Sequence, residues 1–292
     1  TKQVPILSSL KEAISKGAEV LVLGIAPSGG RIPESWNVVI EEALENGLSI
    51  VNGLHDLLQP KWGSKIKNPA QQWIWDVRVP QFVPPIATGK AANLNNKRVL
   101  FVGTDMAVGK MTAGLELYSW LQKQKVNTGF VATGQIGITI TGNGIPLDAF
   151  KVDHACGAVE QVVLEQSEKE IVLVEGQGSL LHPGSTATLP LMRGSCPTHL
   201  ILCLRAEKTS LRSPEHIRIP DLNDFIALNE SLATVVGTFP SAKVIGIAAN
   251  TSTLSKEDAQ TYLKMTRQKT GLVVTDPVRY SIDPIGEKLL SD

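Results

Sequence analysis

Short runs of aliphatic and β-branched residues alternate along the chain with longer amphipathic stretches. That alternation predicts strands interleaved with helices around mostly parallel sheets, an α/β fold. Residues 7–16 read as a helix and residues 19–25 (EVLVLGI) as a buried strand. A turn follows at 26–30, where Pro27 and the paired glycines supply backbone angles that other residues avoid. Residues 36–46 predict the next helix, closed by Gly47 as its C-cap, and residues 49–51 the next strand.

Prolines at 60, 69, 80, 84 and 85 interrupt the stretch that follows, so neither a long helix nor strand pairing is expected there. The domain seam is placed near 88–97, dividing the chain into residues 1–92 and 93–292. Beyond the seam the alternation resumes, with strands at 98–102, 128–132, 171–174, 199–204, 243–248 and 272–275. Helices are expected at 110–125, 155–167, 221–232 and 255–269, the last opened by Ser255 and Asp258 in the spacing of a capping box.

At 292 residues the chain fits roughly two domains of ordinary size. Charged residues make up only 19%, which argues against extensive disorder. Lys and Arg number 28 and so do Asp and Glu, so there is no broad basic footprint for nucleic acid or an anionic membrane. Any phosphate must therefore be held by a local site. The longest apolar runs, such as residues 20–26, fall far short of the ~20 residues that cross a bilayer. Cys156, Cys196 and Cys203 follow no disulfide or metal-binding pattern, which fits reduced thiols in a cytoplasmic protein, and no metal site is expected. A homo-oligomer acting on a small molecule is the expected state.

The strongest chemical signal follows the strand at 98–102. Gly103, Thr104, Asp105, Met106, Ala107, Val108, Gly109, Lys110, Met111 and Thr112 lead directly into a helix. Glycines let backbone N–H groups face an anion, the new helix directs its positive end there, and Lys110 adds a point charge. The spacing departs from G-x-x-x-x-G-K-[ST] by one residue, and Met111 stands where a hydroxyl usually meets magnesium. The alternative is a glycine-rich turn with a surface lysine; the coincidence of strand, loop, Gly-Lys and helix favours phosphate binding. Two further segments fall where such a domain places its working parts. Glu175 ends the strand at 171–174 and is followed by Gly-Gln-Gly-Ser, while Asn250 ends the strand at 243–248 and offers a donor and an acceptor to an adenine edge.

GTDMAVGK, VEGQG and IAANT, in that order, resemble dethiobiotin synthetase and its phosphate-loop relatives, which hold ATP and magnesium on such segments. A closer resemblance spans nearly the whole chain. GIAPSGG at 24–30, IVNGLHDLL at 50–58, IWDVR at 74–78, GTDMAVGKMT at 103–112, FVATGQIGI at 130–138, VDHACGAVEQ at 152–161 and VEGQGSLLHP at 174–183 are similar to the D-glutamate N-acetyltransferase family. That resemblance implies a Rossmann-like N-terminal domain joined to a P-loop NTPase-like domain, with Met after the loop lysine as usual. It also implies a strand and a glycine-containing loop upstream of Thr1. The implied reaction moves acetyl from acetyl-CoA to the amine of D-glutamate or a related D-amino acid. Coenzyme A carries a pyrophosphate and a 3′-phosphate, so a phosphate cradle with an adenine-reading Asn serves it without ATP hydrolysis.

Acetyl transfer requires a base for the amine proton, and His182, Glu175 and His55 are the candidates, with His182 favoured for its nearness in sequence to Glu175. A dicarboxylate acceptor calls for cations or backbone donors, for which Arg78, the Ser28, Gly29 and Gly30 amides and Gln135 are candidates, with Arg193 and Arg205 behind them. An ATP/magnesium-dependent ligase or kinase and a nucleotide-sensing switch, the latter with residues 130–142 as a mobile loop, are the competing readings.

Overall fold

The computed structural model describes residues 4–25 and 27–292, and of Ser28 the backbone alone. Ala26 of the expected turn and residues 1–3 lie outside the described residues. In a first parallel sheet, β1 (Val20–Leu23), β2 (Ser49–Asn52) and β3 (Ile74–Asp76) lie side by side in that order. Helices α1 (Leu10–Ser15), α2 (Asn37–Glu45) and α3 (Gln59–Trp62) accompany it. Ile40, Ala43 and Leu44 of α2 close over Ile50, Leu58 and Trp62 to form its core. Gly47 ends α2 with φ +84°, as its C-cap position requires.

Two expectations change here. The strand at 19–25 is shorter and not buried: β1 is an edge, and Val20 and Val22 are 39% and 51% exposed. The proline-interrupted stretch does hold a strand, because β3 fits between Pro69 and Pro80 and needs a partner on one side only.

The second sheet is also parallel, in the order β5-β6-β4-β7-β8-β9. Its strands are β4 (Lys97–Gly103), β5 (Thr128–Val131), β6 (Ile171–Val174), β7 (His199–Arg205), β8 (Lys243–Asn250) and β9 (Val273–Thr275). Between and after them run α4 (Lys110–Lys123), α5 (Gln135–Thr141), α6 (Val152–Leu164), α7 (Thr188–Ser195), α8 (Leu222–Thr234), α9 (Lys256–Thr270) and α10 (Asp283–Ser291). Alternation along each strand divides the core by face. Leu100, Val102, Val172, Val174, Leu200 and Leu202 pack with α6 and α7. Val99, Phe101, Leu173 and Ile201 pack with α4 and α10. Ser255 caps α9, accepting from Asp258 N–H at 3.1 Å and donating to its carboxylate at 2.7 Å.

The short α3 in the proline-interrupted stretch was not expected, and neither were three helices of the second domain. α5, in the segment read as a mobile loop, is a helix despite its β-branched sequence: Thr139 and Thr141 donate to the carbonyls one turn back, and Ile138 is buried. α7 carries Pro190 inside its first turn and Gly194 near its end, and α10 carries Pro284 in its first turn; both are held by core contacts rather than by helix propensity. Among the described residues no helix is long and apolar enough to cross a membrane.

The two sheets meet at their carboxyl ends. Val51 and Val77 of the first domain join the second sheet's core, Arg78 donates to the Gly53 carbonyl at 2.7 Å and pairs with Asp148, and the Gln135 side chain packs on Gly53. The segment between the domains lies on α6, where Glu160 accepts from Thr88 N–H at 2.7 Å.

Candidate functional site

β4 ends at Gly103, where a Cβ would lie 2.9 Å from Val108 and 3.0 Å from Lys110 Nζ. The loop turns back through Ala107 and Gly109, both with positive φ, and α4 starts at Lys110. Lys110 is 6% exposed, and its Nζ donates to the Asp105 carbonyl at 2.9 Å. Burial lowers its pKa, against the opposing pull of Cys203, Asp105 and Glu175. The result is a cation with one neutral partner at a helix N-terminus, which fits a phosphate group. Thr104 is buried and its N–H donates to the Cys203 carbonyl; Met111 is half-buried on α4. Asp105 does not face the cradle: one oxygen accepts from Met106 N–H at 2.7 Å and the other from Arg212 N–H at 2.7 Å.

Glu175, at the tip of β6, is 3% exposed. One oxygen accepts from Thr133 N–H at 2.8 Å and Gly134 N–H at 3.2 Å, the other from the Gln177 amide at 3.3 Å. Burial raises its pKa, and the Thr133, Gly134 and Lys110 interactions hold it partly down. Glycines make this packing possible. A Cβ at Gly137 would lie 2.4 Å from Glu175 Oε2, and one at Gly176 would lie 1.6 Å from the Phe101 carbonyl.

Two of the open spaces that adjoin the loop hold candidate residues. One, of about 410 Å³, is lined by Gly109, Thr112, Asn250, Ser252, Pro277 and Arg279. The oxygen of Asn250 accepts from Ser252 N–H at 3.0 Å, and its amide N–H groups have no protein partner among the described residues. The other, of about 860 Å³, has Thr133, Gly134, Gln135 and Gln177 on its floor and Arg193 and Cys156 on its wall. Burial pushes the Cys156 thiol up, and the enclosed Cys203 thiol is pushed up to about 12, so neither is a ready nucleophile.

Lys110, Glu175, Gln135 and Asn250 are thus gathered around one loop. Other candidates are placed elsewhere. His182 has both ring nitrogens committed to backbone, Nε2 to the Ser213 carbonyl at 2.7 Å and Nδ1 to Gly184 N–H at 3.1 Å, so its nearness in sequence to Glu175 does not make it a free base. His55 lies over Gly30, its ring Cδ2 2.4 Å from where a Cβ would stand. Gly29 and Gly30 both have positive φ, but Gly30 N–H donates to Pro27, which removes one donor from the expected nest; the Ser28 side chain lies outside what is described. Arg78 bridges the domains and does not line the cleft. Gln177 and Thr133 were not singled out from sequence, although Gln177 sits within the glycine-rich VEGQG segment, which is a signal.

Fold and site define a two-domain α/β protein in which a phosphate-loop domain is coupled to a smaller parallel-sheet domain. The chain belongs to the DUF1611 family: its Rossmann-like domain of unknown function (DUF1611_N) matches residues 1–80 and its P-loop domain of unknown function (DUF1611_C) matches residues 85–286. The chain is 37% identical over 274 residues to a D-glutamate N-acetyltransferase of Tritonibacter scottomollicae, covering 93% of this chain and 81% of that protein. It is also 37% identical over 281 residues to a D-glutamate N-acetyltransferase of a Pseudoalteromonas species, covering 95% and 83%. A crystal structure of a DUF1611 family protein from Anabaena variabilis superposes with a TM-score of 0.95 at 44% identity, covering all of this chain and 85% of that one.

Proposed function

We propose that the protein transfers the acetyl group of acetyl-CoA to the amine of D-glutamate. One juxtaposition carries the reading: a phosphate loop lacking a hydroxyl directly after its lysine, beside a buried carboxylate under a cleft large enough for a small substrate and a thioester. The relatives from Tritonibacter scottomollicae and Pseudoalteromonas supply the acceptor by their names.

In this reading the adenine lies against Asn250, the pyrophosphate on Gly103–Thr112 and Lys110, and the thioester in the larger cleft beside Gln135. The amine nitrogen attacks the thioester carbon, a C–N bond forms, and the C–S bond breaks to release the coenzyme thiolate. Glu175 receives the amine proton, reached past Gln177, whose bond to it is the longest of the three it accepts, and the proton passes on to the departing sulfur. Burial of Glu175 raises its proton affinity and makes it a stronger base.

A thermal-shift comparison of acetyl-CoA, CoA and ATP with magnesium tests the ligand, since a molecule that binds the folded state raises its melting temperature. Stabilisation by acetyl-CoA and CoA is expected. Stabilisation by ATP with magnesium and none by either coenzyme would replace this reading with an ATP-dependent ligase or kinase.

A further inference from the structure

Residues 206–220 leave the end of β7 as a folded arm rather than a loose loop. Leu211 N–H donates to the Ile217 carbonyl and Ile219 N–H to the Thr209 carbonyl, and Ser210 and Arg218 form an antiparallel bridge. Leu211 is 1% exposed, and Asp105 of the phosphate loop accepts Arg212 N–H. The arm is therefore fixed to the loop itself. Between them lies a pocket of about 320 Å³ whose lining includes Thr104, Met106, Arg205, Lys208, Arg212 and Glu215.

The charges in this pocket do not balance. Arg205, Lys208 and Arg212 stand against Asp105 and Glu215, an excess of one positive charge, and both oxygens of Asp105 already accept backbone N–H groups. The side chains of Lys208 and Arg212 form no ion pair among the described residues, and Arg205 gives one nitrogen to the Ala107 carbonyl at 3.3 Å. Three cations held beside a phosphate loop suit a dianion better than a single carboxylate.

The pocket adjoins the space in front of Asn250. Val108 lines both, Arg205 stands opposite Asn250 in the β7–β8 register, and Ala206 N–H donates to the Asn250 carbonyl at 3.0 Å. A nucleotide with its base at Asn250 and its diphosphate on the loop thus passes alongside the arm. Arg279, the cation on the Asn250 side, gives both terminal nitrogens to the Leu254 and Ser255 carbonyls.

We propose that Arg205, Lys208 and Arg212 form a subsite for the 3′-phosphate of coenzyme A, by which the arm distinguishes the coenzyme from ADP and ATP. This rests on the coenzyme A reading above. The test is calorimetry of CoA and 3′-dephospho-CoA with the wild-type chain and with the Lys208→Gln, Arg212→Gln double variant. Both substituted side chains are exposed, so the fold is retained, which a melting curve checks. The wild type is expected to bind CoA at least ~10-fold more tightly than the dephospho form, and the variant to reduce that gap to about threefold or less by losing CoA affinity. The gap also shrinks with added salt. Equal wild-type affinities, or a variant that keeps the gap, would overturn the assignment. So would a higher KM for D-glutamate with the coenzyme preference intact, which would give these cations to the acceptor. If the wild type binds ATP and neither coenzyme, the coenzyme A reading fails and with it the discrimination against ATP; adenosine 3′,5′-bisphosphate against AMP then decides whether the three cations hold a 3′-phosphate at all, and equal binding overturns that too.

Discussion

At the scale of single residues, the site depends on two opposite charges that burial has made costly. Glu175 has its pKa raised first by desolvation, so the folded state binds a proton that the unfolded state has already lost. Its contribution to stability therefore declines as pH rises from the ordinary glutamate value, 4.5, toward the raised value. The ionised form that accepts a proton gains population over the same window. Glu175→Gln is expected to be at least as stable as the wild type at neutral pH while kcat falls about 10²- to 10⁴-fold, the usual range for a general base. Urea denaturation at two pH values and steady-state kinetics check the two halves. Lys110 is the complementary case, a buried ammonium whose hydrogen-bond partner is a neutral carbonyl. Lys110→Ala is expected to weaken coenzyme A binding about 10- to 100-fold by calorimetry, since a hydrogen bond to a charged group contributes roughly 1.5–3 kcal/mol.

At the scale of elements, Arg98 ties strand to helix. It is 1% exposed on β4 and donates to the carbonyls of Leu94, Asn96, Ser195 and Cys196, joining the interdomain segment to the end of α7. Arg98→Met would leave these acceptors without their donor and is expected to cost about 2–4 kcal/mol, read as a lower urea midpoint with no change in slope. The strands of the second sheet were legible in sequence because each is a short aliphatic run buried on both faces. The phosphate loop was legible because its glycines and lysine are local. α5, α7 and α10 were not, because β-branched residues, Pro190 and Pro284 obscure a helix that only its packing against the core determines. The pairing of Glu175 with Thr133 and Gly134 spans more than forty positions, and no local pattern encodes it.

At the scale of the whole molecule, two sheets turn their carboxyl ends toward one another, and ligands of open α/β sheets gather at such ends. Arg78 and Gln135 mark the junction. Both were expected to contact substrate from their sequence positions; Arg78 instead joins Gly53 to Asp148, whereas Gln135 packs on Gly53 and still lines the cleft. Asp148 is half exposed, so the ion pair adds no more than ~1 kcal/mol. Arg78→Ala is therefore expected to lower the melting temperature little and to raise the KM for the acceptor several-fold, by loosening the cleft floor at Gln135. The most direct test of the proposed chemistry is mass-spectrometric detection of product after incubating the protein with acetyl-CoA and D-glutamate. N-acetyl-D-glutamate is expected to accumulate with an equal amount of free CoA, and to form about 10²- to 10⁴-fold more slowly with Glu175→Gln although that variant still binds the coenzyme. No acetylated product from the wild type, with ADP released instead when ATP and magnesium are supplied, would contradict it.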